Sequence, residues 1–145
     1  MAIAKVLLVD DEVPFVETMT KRLTKRDLEV YQAFSGSEAL EKLNHEKSVE
    51  VVILDVKMPG MDGIETLREI KKRFPLVEVV MLTGHATVET AIEGMKLGAY
   101  DYLMKPCDIE QLMLKVEEAT KKRRDHQEKI KEAQVKEVLS RHGLE

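Results

Sequence analysis

The sequence predicts an α/β fold: a doubly wound sheet of five parallel strands followed by an extended C-terminal helix. Three observations carry this. Short apolar runs alternate with segments of helical spacing, helix-start signals stand between them, and the apolar runs end on polar residues. Four runs, Val6 to Val9, Val51 to Leu54, Val79 to Leu82 and Tyr100 to Met104, are rich in β-branched or aromatic residues, the composition of strands buried on both faces. A fifth, Leu28 to Phe34, is more mixed, and its Glu29 and Gln32 suit an edge strand.

Helical spacing appears in Phe15, Met19 and Leu23; in Ala39, Leu40 and Leu43; in Ile64, Leu67 and Phe74; and in Val88, Ala91, Ile92 and Met95. Ser35 with Glu38, Asp62 with Glu65 and Asp108 with Gln111 each read as a capping box, in which side chains satisfy amide donors that the first helical turn leaves open. Pro14 suits a first turn, where no amide hydrogen is required. Strict strand–helix alternation implies right-handed crossovers between parallel strands, and five strands suggest the flavodoxin-like order 2-1-3-4-5. There is no internal repeat.

The bulk composition narrows the function classes. A chain of 145 residues with 43% hydrophobic residues can fill one ordinary core with a short extension to spare. Charged residues make up 34%, but the net charge is only -4, so no general attraction to nucleic acid or anionic membrane is expected. Cys107 is the single cysteine, which excludes an internal disulfide and fits a reducing cytoplasm. No Cys/His set has zinc-ligand spacing, and no run is long enough for a membrane span.

In doubly wound sheets, ligands bind beyond the carboxyl ends of the strands. The residues there are Asp10 and Asp11, Asp55, Thr83 and Lys105. Three carboxylates gathered on one rim repel one another, and a hard cation relieves that repulsion. Mg²⁺ suits the purpose, because it takes a few carboxylate or carbonyl oxygens and keeps other positions for water or phosphate. A central carboxylate such as Asp55 can then attack phosphorus, while Lys105 and Thr83 neutralise the equatorial oxygens.

The segments Leu8-Val9-Asp10-Asp11-Glu12, Asp55 to Gly63 (Asp-Val-Lys-Met-Pro-Gly-Met-Asp-Gly), Thr83-Gly84 and Lys105-Pro106 together resemble the receiver-domain signature of bacterial two-component response regulators. The resemblance covers roughly residues 4 to 120. It implies that Asp55 accepts the phosphoryl group from a sensor histidine kinase, that Asp10 and Asp11 with Asp55 and the Lys57 backbone carbonyl hold Mg²⁺, and that Thr83 and Lys105 contact the phosphoryl oxygens. It also implies a cis Lys105-Pro106 bond, a switch pair of Thr83 and Tyr102, and an effect of Lys57 and His85 on the lifetime of the acyl phosphate. The run from Gly84-His85-Ala86-Thr87 to Met104-Lys105-Pro106 looks like receivers of enhancer-binding transcriptional activators.

Each residue has a plainer reading. Asp10 and Asp11 alone suit a helix-capping loop, Thr83 a strand-end hydroxyl, and Lys105 a solvated turn residue. Tyr102 reads equally as core. Gly60 and Gly63 suit a turn and a helix entry, His45, His126 and His142 the surface, and Cys107 a small packed thiol. Two alternatives to the receiver remain: an Mg²⁺-dependent phosphatase with an Asp nucleophile, whose second Asp would stand where Lys57 does, and a pseudo-receiver that binds partners without accepting phosphate.

The organisation expected is a receiver domain over 1–120 and a helical extension or linker over 121–145. Ile109, Leu112, Val116 and Ala119 continue, after Arg123 and His126, into Ile130 and Ala133, as in a signalling coiled coil, a linker to an output domain beyond residue 145, or a solvated helix. Residues 108–145 carry nine acids and nine Lys/Arg, so the net charge resides on the receiver. The run Lys121-Lys122-Arg123-Arg124 is too short for a nucleic-acid site. A homodimer would form through the 88–105 face or the C-terminal helix.

Overall fold

A computed structural model describes residues 2–58, 60–84 and 87–143. The elements are β1 (Ala4–Val9), α1 (Val13–Thr24), β2 (Leu28–Ala33), α2 (Gly36–His45), β3 (Val51–Leu54), α3 (Gly63–Arg73), β4 (Glu78–Thr83), α4 (Val88–Lys96), β5 (Asp101–Met104) and α5 (Ile109–Arg141). All strand pairs are parallel and the order is β2-β1-β3-β4-β5, as expected from the alternation.

Alternating strand residues divide the core between the two faces. Leu7, Val9, Val52, Leu54, Val79 and Met81 meet Ala39, Leu43, Leu67 and Ile70 of α2 and α3. On the other face, Val6, Leu8, Val51, Ile53, Val80 and Leu82 meet Val16, Met19 and Leu23 of α1 and Leu112, Val116 and Ala119 of α5. Fully burying a Val, Leu or Ile side chain contributes roughly 1.5–3 kcal/mol, so the central strands fix the fold.

The run Tyr100 to Met104 is not buried on both faces. β5 is an edge strand in which Asp101 and Tyr102 are half-buried, Leu103 is buried and Met104 is 58% exposed, and Tyr100 just before it is half-buried as well. The apolar spacing of α4 likewise points outward: Val88 is 74% exposed, with Ile92 and Met95 also exposed, and Gly94 is the buried residue of the helix. Gly94 lets α4 lie close, because a side chain there would meet the sulfur of Met81.

Ser35 and Asp62 cap α2 and α3 by accepting the amides of Glu38 and Glu65. Asp108 instead accepts from Glu110, one residue earlier than the Gln111 pairing predicted. The reciprocal box lies at α4, where Thr87 and Thr90 each accept the other's amide.

α5 is one helix of 33 residues, about 50 Å long at 1.5 Å per residue. Its basic run is engaged within the molecule. Glu50 and Glu78 lie buried side by side at the amino edge of β3 and β4, where unpaired charge would be costly. Arg124 grips Glu50 with Nε at 2.7 Å and Nη2 at 3.0 Å, and Nη2 also donates to the Ile3 carbonyl at 2.9 Å. Lys122 and Lys71 approach Glu78 at 3.6 and 3.9 Å. From Arg124 onward every described side chain is exposed. No helix among the described residues is long and apolar enough to cross a membrane.

Candidate functional site

Parallel pairing carries the strand ends to one rim. Val9 pairs with Leu54, Leu54 with Met81 and Thr83 with Met104. The ladder continues one step further, since the amides of Asp55 and Lys105 donate to the carbonyls of Val9 and Thr83 at 3.0 and 2.9 Å. Asp10, Asp55, Thr83 and Lys105 therefore project from neighbouring strands. Thr83 is buried and engaged in a polar or electrostatic interaction.

Carboxylate oxygens of Asp10, Asp11 and Asp55 lie within 4.8 Å of one another. Asp10 and Asp55 are buried and Asp11 is exposed, so the cluster opens to solvent on one side. Oδ1 of Asp55 is buried without a hydrogen-bond partner among the described residues, which is unusual for a polar atom in a folded core. Burial is the main cause raising the Asp10 pKa, the Asp55 charge adds to it, and hydrogen bonds from Lys105 and the Glu12 amide work against it. Three crowded carboxylates, one deeply buried and orphaned oxygen and an open side fit a hard, oxygen-seeking divalent cation.

Lys105 joins the cluster through Asp10. Its ammonium donates to Asp10 Oδ2 at 2.6 Å and to Glu12 Oε1 at 3.2 Å, and lies 3.9 Å from the centre of the Phe15 ring. Burial opposes its charge, but the bonds to Asp10 and Glu12 and the nearby Asp55 outweigh it and hold the ammonium pKa above the ordinary lysine value. The Lys105-Pro106 peptide is cis, as the resemblance implied.

Gly63 supports the rim in a way that its reading as a helix entry did not foresee. A side chain there would collide with the Asp55 carbonyl oxygen and Val56 Cα, and its amide donates to the Val56 carbonyl at 2.6 Å. The first residue of α3 is thus pressed against the backbone that presents Asp55.

The chain matches the family model described as the response regulator receiver domain over residues 6–117. This chain belongs to the response regulator receiver domain family. Among curated proteins it is 41% identical over 114 residues to the transcriptional regulatory protein ZraR of Klebsiella oxytoca, with 79% of this chain and 26% of that protein aligned. It is 38% identical over 131 residues to a putative response regulator NtrX-like protein of Rickettsia bellii, covering 87% of this chain and 27% of the relative. The chain thus spans about a quarter of the length of these relatives. Among solved structures, a response regulator receiver domain protein from Clostridium thermocellum aligns with a TM-score of 0.80 at 37% identity, covering 84% of this chain and 98% of that one. NtrX from Brucella abortus, solved in complex with ADP, aligns with a TM-score of 0.80 at 36% identity, covering 88% of this chain and 29% of that one.

For a receiver, the sequence-derived residues fall into three groups. Asp10, Asp11, Asp55, Thr83 and Lys105 stand at the strand ends on one rim. Lys57 is exposed on the β3–α3 loop and, with Asp62, Arg68 and Thr90, lines an open cleft between α3 and α4. Tyr102 is half-buried against the α2–α3 core face, and its hydroxyl lies 3.1 Å from Thr90 Oγ1, so it joins the core and the capping box of α4 at once. His85, Ala86, Pro59, Leu144 and Glu145 lie outside the described residues. Sequence reasoning assigned no site role to Glu12 or Phe15. The available signal was position: Glu12 follows the acidic pair, and Phe15 stands three residues later on the first turn of α1.

Proposed function

We propose that the chain is a phosphorylation switch that takes a phosphoryl group from the phosphohistidine of a sensor histidine kinase onto Asp55. The observation that carries this reading is the orphaned, buried Oδ1 of Asp55 beside two further carboxylates and one lysine. An oxygen with no hydrogen to accept has its lone pairs available to phosphorus.

Asp10, Asp11 and Asp55, with the Lys57 backbone carbonyl, would hold Mg²⁺, which supplies charge neutralisation between the acidic cluster and phosphoryl oxygens. In the transfer, an Asp55 oxygen forms a bond to phosphorus as the bond from phosphorus to the kinase imidazole nitrogen breaks, and the electron pair leaves with the imidazole. Thr83 and Lys105 contact the equatorial oxygens as charge builds there. A phosphatase acting on free esters is disfavoured by Lys57, which stands where that chemistry wants a second acid.

Thr83 lies at the end of β4, four residues before the Thr87–Thr90 box that starts α4 and meets the Tyr102 hydroxyl. Phosphorylation would draw the Thr83 hydroxyl towards the phosphoryl group and bias Tyr102 and α4 between two packings. Val88, Ile92, Met95 and Met104 expose an apolar surface on this same side, which suits a homodimer formed through the 88–105 face. In a longer protein, the exposed end of α5 would lead into an output domain beyond residue 145, and the receiver itself would make no direct contact with nucleic acid.

Incubation with acetyl phosphate and Mg²⁺, followed by intact-mass measurement, tests this directly. The wild type gains one phosphoryl group and Asp55→Ala gains none. Equal labelling of both would refute the assignment.

A further inference from the structure

We infer that Glu12 and Phe15 are positioning residues that hold Lys105 in a resting place away from Asp55 and thereby set how quickly the phosphoryl group is accepted. This rests on the reading of Asp55 as phosphoacceptor.

The Lys105 ammonium has three neighbours that oppose one another in what they permit. Asp10 Oδ2 at 2.6 Å is the strongest acceptor, but it belongs to the acidic cluster. Glu12 Oε1 at 3.2 Å, at the N-cap of α1, and the Phe15 ring face at 3.9 Å, in its first turn, lie outside that cluster. Among the described residues no hydrogen bond joins Lys105 to Asp55, whose Oδ1 stays orphaned.

The placement of Glu12 does not follow from helix capping. It occupies the N-cap of α1, yet its side chain makes no cap bond. Instead its amide donates to Asp10 Oδ1 at 2.9 Å while its carboxylate takes Lys105, closing a ring of Asp10, Glu12 and Lys105. Phe15, three residues on, lies on the same side of the first helical turn and offers its π face to the same ammonium.

When acetyl phosphate is the donor, an Asp55 oxygen bonds to phosphorus, the bond from phosphorus to the acetate oxygen breaks, and acetate leaves with the electron pair. Lys105 must by then face the phosphoryl oxygens. Contacts it makes with Glu12 and Phe15 only in the resting state deepen the ground state and slow the step. Glu12 is 63% exposed, so the contact is screened, and its removal should accelerate acceptance about two- to five-fold.

The test uses the full chain, saturating Mg²⁺ and a series of acetyl phosphate concentrations. Limiting rate and half-saturating concentration are read separately for wild type, Glu12→Gln, Glu12→Asp and Phe15→Leu. Glu12→Asp keeps the charge but withdraws the carboxylate by one C–C bond, roughly 1.5 Å. If contact matters, both Glu12 variants raise the limiting rate two- to five-fold, and Phe15→Leu raises it in the same direction. The Lys105 ammonium protons, followed by NMR without metal, then exchange faster with water in all three.

Acceleration by Glu12→Gln alone, appearing in the half-saturating concentration while Glu12→Asp matches wild type, would mean a simple field effect and overturn the inference. Unchanged or slower limiting rates in both Glu12 variants would also overturn it while leaving Asp55 as phosphoacceptor. A wild type that takes no phosphate would instead bring down the proposed function and this inference together.

Discussion

Replacing Arg124 with alanine removes the two charge-assisted hydrogen bonds that Glu50 receives at the amino edge of β3, together with the bond to the Ile3 carbonyl. Hydrogen bonds to charged groups contribute about 1.5–3 kcal/mol, and stranding a fully buried charge costs about 3–5 kcal/mol. Two features lower that here. The Arg124 side chain is 54% exposed, so solvent screens the pair, and Arg123 stands 3.9 Å from Glu50 as a substitute. The net loss should be about 1–2 kcal/mol, or roughly 3–8 °C in Tm for a domain of this size. Urea unfolding followed by circular dichroism would measure it, with Arg141→Ala, at the exposed end of α5, as the control. A double-mutant cycle with Glu50→Gln isolates the pair and should return coupling of about 1 kcal/mol. If Arg124→Ala matches Arg141→Ala, or the coupling vanishes, the docking of α5 at this edge is incorrect.

Gly63→Ala should destabilise the protein by about 1–3 kcal/mol in the same urea assay, because the added methyl overlaps the Asp55 carbonyl and Val56 Cα, and either must shift. Asp10→Asn should raise the melting temperature of the metal-free protein by a few degrees at neutral pH. Burial raises the folded-state pKa of Asp10 above 3.8, so its contribution favours folding below that value and is lost as pH rises through the folded pKa. The advantage of Asp10→Asn should accordingly fade in melts below pH 3.8, while calorimetric titration with Mg²⁺ shows weakened binding. Ile92→Asp should abolish self-association of the acetyl phosphate-treated protein in analytical ultracentrifugation if the α4 face forms the dimer; an unchanged sedimentation profile would move the contact elsewhere.

The parts of the fold legible in the sequence are those dominated by local chemistry. β1, β3 and β4 are continuous apolar runs because helices cover both faces, and a short run of this composition has little use on a half-solvated strand. Asp10, Asp55 and Lys105 stood out because each is the first charged residue after a strand, and parallel pairing brings such positions together. β5 was read as buried on both faces and is not, while the helical spacing of α4 left open which way its apolar stripe faces. A stripe such as Val88, Ile92 and Met95 has the same spacing whether it meets a core or solvent, and periodicity alone does not distinguish the two. The contacts of Glu12 with Lys105 and of Arg124 with Glu50 span most of the chain and follow from three-dimensional closure, for which the sequence carries no periodic signal. Gly63 was legible as a helix entry, but its pressure on the Asp55 backbone emerges only when β3 and α3 are packed.

Borohydride trapping tests the central claim at the atom concerned. Protein treated with acetyl phosphate and Mg²⁺ is reduced, which converts an aspartyl phosphate to homoserine, and the digested peptides are sequenced by mass spectrometry. Homoserine at position 55, and unmodified aspartate at 10 and 11, is the result the orphaned carboxylate oxygen predicts. Homoserine at position 10 or 11, or phosphate retained on a hydroxyl such as that of Thr83, would contradict it.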